Sequence, residues 1–265
     1  MNAFFKSVAE RQNSINSLLC VGLDPDPKKM PERYHQLERP VLAFCRDVIE
    51  ATHDLAACFK PQFAHFAAAD ALDDLREVIR ILNSKDLPVI LDAKRGDVGS
   101  TSQYYAREAF DIYEAGAVTV NPYLGGDSLD PFLERADKGI ILLCRTSNPG
   151  GADIQNQKLA EGIDLYEHVA RLASLAWNEQ GNVGLVVGAT RPSELARVRE
   201  IVGEMFLLLP GIGAQGGDVA SSLAAGAAGG LIVSSSRAIL YPREGSMAAV
   251  RHAAVETRDL INQHR

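Results

Sequence analysis

Hydrophobic residues in this chain come in short, nearly unbroken runs: "SLLCVGLD" (17–24), "AACFKPQ" (56–62), "LPVILDAK" (87–94), "AVTVNP" (117–122), "GIILLC" (139–144), "VGLVVGAT" (183–190), "MFLLLPG" (205–211) and "GGLIVSSS" (229–236). Each is too short for a helix of ordinary length and rich enough in Val, Ile and Leu to be a strand buried on both faces, as in a parallel sheet. Most intervals between runs carry helix-like patterning, as in "DDLREVIRILNSK" (73–85) and "PSELARVREIV" (192–202), where a Ser-x-x-Ala start opens at Ser193. The alternation is that of repeated β–α units. Eight such units suit a (β/α)8 TIM barrel, whereas a doubly wound sheet more often uses five or six strands. No Pro/Ser-rich linker, charge block or low-complexity tract breaks the rhythm, so residues 1–265 read as a single α/β domain.

Composition narrows the partners. The 265 residues are 46% hydrophobic and 23% charged, the mix of an ordinary globular protein. A net charge of −7 argues against broad electrostatic binding to nucleic acid or to an anionic membrane, and leaves room for a local basic pocket that holds a phosphate. The amino-terminal stretch turns polar after five residues, and no run reaches the roughly 18 apolar residues of a membrane span, so a cytoplasmic location is expected. Cys20, Cys45, Cys58 and Cys144 lie far apart without a C-x-x-C pair and read as reduced core thiols. The histidines show no metal-ligand spacing, which predicts no metal site, and His65 reads as a structural residue.

In a barrel, the chemistry lies where the strands end at their carboxyl side. The polar residues there are Asp24 after the first run, Lys60 at the second, Asp92 and Lys94 at the third, Ser147 beyond the fifth, Gln215 beyond the seventh, and Ser236 with Arg237 after the eighth. Asp92 and Lys94 are two apart, so regular strand alternation puts both on one face, pointing into the barrel mouth. Asp97 lies past the strand and can turn either way. A structural ion-pair network is the plain alternative for this cluster. Gly211, Gly213 and Gly216 form a literal G-x-G-x-x-G, but no acidic residue ends the following strand, so a dinucleotide site is disfavoured. Phosphate binding fits better, with glycine backbone N–H groups, Gln215 and the forked cation of Arg237 in the two loops that bind phosphate in many barrels. The polar stretch "RTSNPGGADIQNQKLAEG" (145–162) is long for a βα loop and reads as a lid or binding loop.

Taken together and in order, "GLDPDP", "FKPQ", "LDAKRGDVGST", "TSNPG", "PGIGAQGGD" and "SSSRAI" resemble the orotidine 5'-phosphate decarboxylase family in its longer bacterial (type 2) form, across essentially the whole chain. The resemblance implies a cofactor-free carboxy-lyase that acts on orotidine 5'-monophosphate. It implies an alternating charged network of Lys60, Asp92, Lys94 and Asp97, with Asp97 and Thr101 reaching across a homodimer interface into the neighbouring site. Asp24 would bind the ribose hydroxyls, Ser147 the pyrimidine edge, and Gln215, Ser236 and Arg237 the 5'-phosphate. Shorter family members have Gly-Arg where this chain has Ser236-Arg237. Residues 148–160 would close over the substrate. The rival readings are a metal-dependent barrel acting on a sugar phosphate, a Schiff-base aldolase, and a non-catalytic nucleotide binder.

Overall fold

The computed structural model describes residues 1–211 and 219–265. Its strands coincide with the eight apolar runs, with β3 and β5 each extending one residue past theirs: β1 Leu19–Leu23, β2 Cys58–Pro61, β3 Ile90–Arg95, β4 Ala117–Val120, β5 Gly139–Arg145, β6 Val183–Val187, β7 Leu207–Pro210 and β8 Leu231–Ser235. Neighbours run parallel in the order β2-β1-β8-β7-β6-β5-β4-β3. Two isolated parallel bridges, Phe59↔Val89 and Gln62↔Asp92, join β2 to β3 and close the sheet into a (β/α)8 barrel.

The helices are α1 Ala3–Ile15, α2 Pro40–Thr52, α3 Phe63–Ala68, α4 Leu72–Ser84, α5 Gly99–Arg107, α6 Gly126–Leu133, α7 Ala152–Gln155, α8 Leu165–Leu175, α9 Pro192–Val202, α10 Val219–Gly226, α11 Arg237–Leu240 and α12 Met247–Gln263. In α4 the buried Leu75, Val78, Ile79 and Leu82 follow the helical repeat and face the sheet, while Asp73 and Asp74 sit in the first turn, where the helix dipole favours negative charge. The start of α9 departs from the sequence reading. Pro192 occupies its first turn after Arg191, and Ser193 lies inside the helix instead of capping it, because proline's fixed φ already suits that position. Among the described residues, no helix is long and apolar enough to cross a membrane.

Strand alternation sorts side chains into two layers. Leu19, Val21, Leu23, Leu91, Val118, Leu142 and Val233 point outward into the layer shared with the helices. Cys20, Cys58, Ile90, Ala117, Ile141, Val186, Leu208 and Ile232 point inward and fill the barrel. Continuing the same period of two along β2 and β3 puts Lys60, Gln62 and Asp92 on the inner face, one layer nearer the carboxyl end.

The amino-terminal end of the barrel is stoppered by α1. Asn2 caps this helix by accepting from the Phe5 amide and ties it to the β5 side by donating to Lys138 O at 2.8 Å. Phe5 stacks on Phe206 with ring centroids 4.8 Å apart, and Phe4 packs where any Cβ on Gly139 would collide with its ring. Gln12 closes the far side by donating to Leu231 O at 2.6 Å.

All four cysteines are free and buried. Burial pushes the Cys144 thiol up to about 12, so the reactive thiolate is scarce at ordinary pH. Native protein at about pH 8 is therefore expected to resist thiol-disulfide reagents over minutes, and guanidinium-unfolded protein to titrate four thiols. Rapid native labelling at any of them would contradict this packing.

Candidate active site

A cavity of about 430 Å³ opens at the carboxyl end of the barrel. Its floor is the inner layer just described: Lys60 and Gln62 from β2 and its exit, Asp92 and Lys94 from β3, and Thr119 from β4. Asp24, Ser147, Ser236 and Arg237 line its walls. The sequence-predicted residues on β1, β2, β3, β5 and β8 or their exits thus share one cavity. Gln215, Gly213 and Gly216 lie outside the described residues.

Asp92 organises the floor. Its Oδ2 accepts from Lys60 Nζ at 2.6 Å and from Gln62 Nε2 at 3.1 Å. Its Oδ1 accepts from Lys94 Nζ at 2.6 Å and from Thr119 Oγ1 at 2.9 Å. A carboxylate offers about four lone-pair sites, and these donors engage all of them. Burial opposes charge on Asp92, but Lys60 and Lys94 outweigh it and hold the carboxyl well below the usual carboxylate range. Burial likewise opposes charge on Lys60, and Asp92 and Asp24 outweigh it, so its ammonium is held charged well above the ordinary lysine value. The Lys60 and Asp92 side chains are only 7% and 8% exposed, whereas that of Lys94 is 46% exposed and reaches into the open cavity.

Regular strand alternation does not account for the position of Lys94. Leu91 pairs with Val118 and Arg95 with Val120, so residues 92–94 face Thr119 alone, and the strand bulges. Within the bulge Lys94 has φ 47°, the left-handed region that a long side chain enters at a cost of about 1–3 kcal/mol. Thr119 Oγ1 accepts from the Lys94 amide at 3.0 Å while donating to Asp92, so one hydroxyl fixes both backbone and side-chain partners. Thr119 and Gln62 were not among the sequence-predicted residues. Their available signals were a lone hydroxyl inside the apolar run "AVTV" and a polar residue two after Lys60.

Asp24 differs from Asp92. Tyr241 Oη donates to its backbone O at 2.8 Å and accepts from the Asp26 amide at 2.7 Å, which fixes the β1 exit. Yet Asp24 Oδ1 is buried and lacks a hydrogen-bond partner among the described residues, as does Ser235 Oγ on β8. Buried acceptors of this kind in a cavity wall suit a ligand that donates hydroxyl groups. Ser236 packs against β1 at Gly22, where any Cβ would occupy the space of its Oγ. A side chain at position 22 would force Ser236 to move.

At the end of β5, Arg145 is 2% exposed and fastens the loop that follows. Its Nε lies 2.8 Å from Glu194 Oε2 on α9, and its Nη1 donates to Thr146 O at 2.7 Å and to Gln155 Oε1 at 3.0 Å. The same Gln155 oxygen accepts from the Thr146 amide at 2.9 Å, so α7 is folded back onto the strand exit beside Ser147.

Asp97 and Thr101 do not join this network within one chain. Asp97 Oδ1 accepts from the neighbouring Val98 amide at 2.8 Å, and Thr101 is exposed on α5. Neither lines the cavity.

The matching family model is orotidine 5'-phosphate decarboxylase / HUMPS, which covers residues 17–252. The chain belongs to this family. A protein of Dechloromonas aromatica named orotidine 5'-phosphate decarboxylase is 56% identical over 257 residues, covering 94% of this chain and 95% of that one. One of the same name from Aromatoleum aromaticum is 54% identical over the same length and coverage. The solved Leishmania donovani OMP decarboxylase superposes with a TM-score of 0.86 at 41% identity, covering 98% of each chain. The family thus joins the chain to relatives that carry one activity in their names.

Proposed function

We propose that this protein decarboxylates orotidine 5'-monophosphate to uridine 5'-monophosphate, a step of pyrimidine biosynthesis. The observation that carries the reading is the buried Lys60–Asp92–Lys94 run, with two ammonium groups fixed on one carboxylate and the second exposed to the cavity. Membership of the decarboxylase family supports the same substrate.

Cleaving the C6–carboxylate bond releases CO2 and leaves its electron pair on C6. No adjacent carbonyl delocalises that pair, so the charge must be met where it forms. The Lys94 ammonium stabilises it and then gives a proton from Nζ to C6, an interaction strongest in the transition state. Lys60 and Asp92 keep Lys94 aimed. A carboxylate beside the leaving carboxylate also repels it, and two charges ~4 Å apart at an effective dielectric of ~20 interact by about 4 kcal/mol. Here Asp92 faces two cations and spends its lone pairs on four donors, so positioning is its larger role. The unpaired Asp24 Oδ1 is assigned to the ribose hydroxyls, Ser147 to the pyrimidine edge, and Ser236, Arg237 and Gln215 to the phosphate, with residues 148–160 as the lid.

Loss of orotate absorbance from orotidine 5'-monophosphate, followed with chelator-treated protein, tests the reading. Turnover supports it, and folded protein without turnover would shift the assignment to a metal-dependent sugar-phosphate barrel. Arg237→Ala is expected to raise KM by about 10²-fold or more, through loss of a charge-assisted contact, with a smaller effect on a substrate lacking the phosphate. Equal losses on both substrates would remove Arg237 from the phosphate site.

The outward placement of Asp97 and Thr101 supports a homodimer with shared sites, reinforced by the exposed Val98 and Tyr104 on the same segment. Mixing inactive Lys94→Ala and Asp97→Ala proteins is then expected to restore turnover through mixed dimers. Mixtures as inactive as their parts would place Asp97 in its own subunit's chemistry.

A further inference from the structure

Lys94 is held in a backbone conformation that its own side chain does not favour, and its bonds to Asp92 and Thr119 account for only one side of the restraint. On the other side stands Arg95. Its guanidinium makes a two-pronged pair with Glu108, with Nε to Oε2 at 2.8 Å and Nη2 to Oε1 at 2.9 Å. The same group lies 4.1 Å from the centre of the Phe63 ring on α3 and 4.8 Å from that of Tyr105 on α5. Its backbone O accepts from the Asn121 amide at 2.7 Å, which restores pairing with the β4 side directly after the bulge. Glu108 opens the π-helical turn Glu108–Ile112 that follows α5.

We infer that Arg95 is a positioning residue, which with Glu108 locks the β3 exit so that Lys94 stays in its left-handed conformation and aimed at the reacting carbon. One two-pronged ion pair and two ring contacts converge on a side chain that is only 16% exposed. The planar fork is the reason for arginine: it reaches a carboxylate with two parallel bonds while offering flat faces to aromatic rings, which a lysine ammonium cannot do. Glu108 lies just beyond the stretch 96–107, so the same pair joins the two ends of the segment that carries Asp97 and Thr101. Among the described residues, the Arg95 side chain makes no hydrogen bond or ion pair with the cavity floor, and it acts through the backbone of its neighbour.

The kinetic half of this inference rests on the decarboxylase reading. In steady-state assays on orotidine 5'-monophosphate, Arg95→Met and Glu108→Gln are expected to lower kcat on the order of 100-fold, as small misplacements of a catalytic group do, with KM near wild type. Arg95→Lys should fail to rescue. A wild-type kcat, or a loss confined to KM, would overturn the assignment. The second half needs no substrate. Glycine accepts a positive φ without strain, whereas alanine adopts it only at a cost. Lys94→Gly is therefore expected to be more stable in urea than Lys94→Ala while Arg95 and Glu108 are intact, and the gap should close when either is replaced. A gap that persists in the Arg95→Met and Glu108→Gln backgrounds would show that the pair does not hold the conformation. Wild-type protein that cannot convert the nucleotide would remove the decarboxylase reading, and the stability comparison would still decide the role of Arg95.

Discussion

Lys94→Ala is expected to abolish turnover, by at least about 10⁴-fold, because it removes both the stabilising charge and the proton donor. Binding of uridine 5'-monophosphate should remain measurable, since the assigned phosphate and ribose contacts lie on other strands. Isothermal titration beside a single-turnover assay separates the two effects. Activity within tenfold of wild type would end the proposed role of Lys94. Stability should change little, because the side chain is half exposed and its loss leaves Asp92 paired with Lys60, Gln62 and Thr119.

The largest effect on stability is expected at Asp92. Removing it as Asp92→Ala strands the Lys60 ammonium inside the barrel, and breaking a buried pair in this way costs about 3–5 kcal/mol. Urea titrations at several pH values test the cause. In the wild type, the depressed Asp92 value adds stability that is present above the unfolded value of about 3.9 and is lost as pH falls through the folded one. The raised Lys60 value adds stability that is present below about 10.4 and is lost as pH rises through the folded one. The pair therefore contributes evenly from about pH 5 to 9. In the variant the larger counter-charge is gone, and burial opposed only by Asp24 draws the Lys60 value down from its wild-type level. Asp92→Ala should therefore lose less stability than the wild type as pH rises past about 10. A variant with the same pH dependence as wild type would show that the pair is not electrostatically coupled.

Much of this molecule is legible in its sequence, and the limits have definable causes. The eight strands announce themselves because a parallel barrel buries both faces, which leaves no polar alternation to blur the runs. Asp24, Lys60, Asp92 and Lys94 stand out because charges directly after such runs must emerge at the barrel mouth. The bulge at Lys94 does not announce itself, since nothing in "LDAKRGD" requires a left-handed lysine, and the residues that hold it include Thr119 on β4 and the distant partners of Arg95. Thr119 is hidden by chemistry that is ambiguous in sequence, because threonine is also a favoured strand residue. Arg145 reads as the start of a polar loop, although it is one of the most buried charges in the chain. Its partners Gln155 and Glu194 reach it through the fold, and local patterning carries no trace of contacts at that separation.

The helical stopper at the other end of the barrel ties completion of the fold to the order of synthesis. Residues 3–15 leave the ribosome before any part of their seat, yet Phe5 needs Phe206 to stack on and Gln12 needs Leu231 to receive its hydrogen bond. A segment translated before its seat is thus among the last of these elements to find its place. Its paired phenylalanines lack a complete seat until Phe206 is made, and Gln12 lacks its acceptor until β8 arrives.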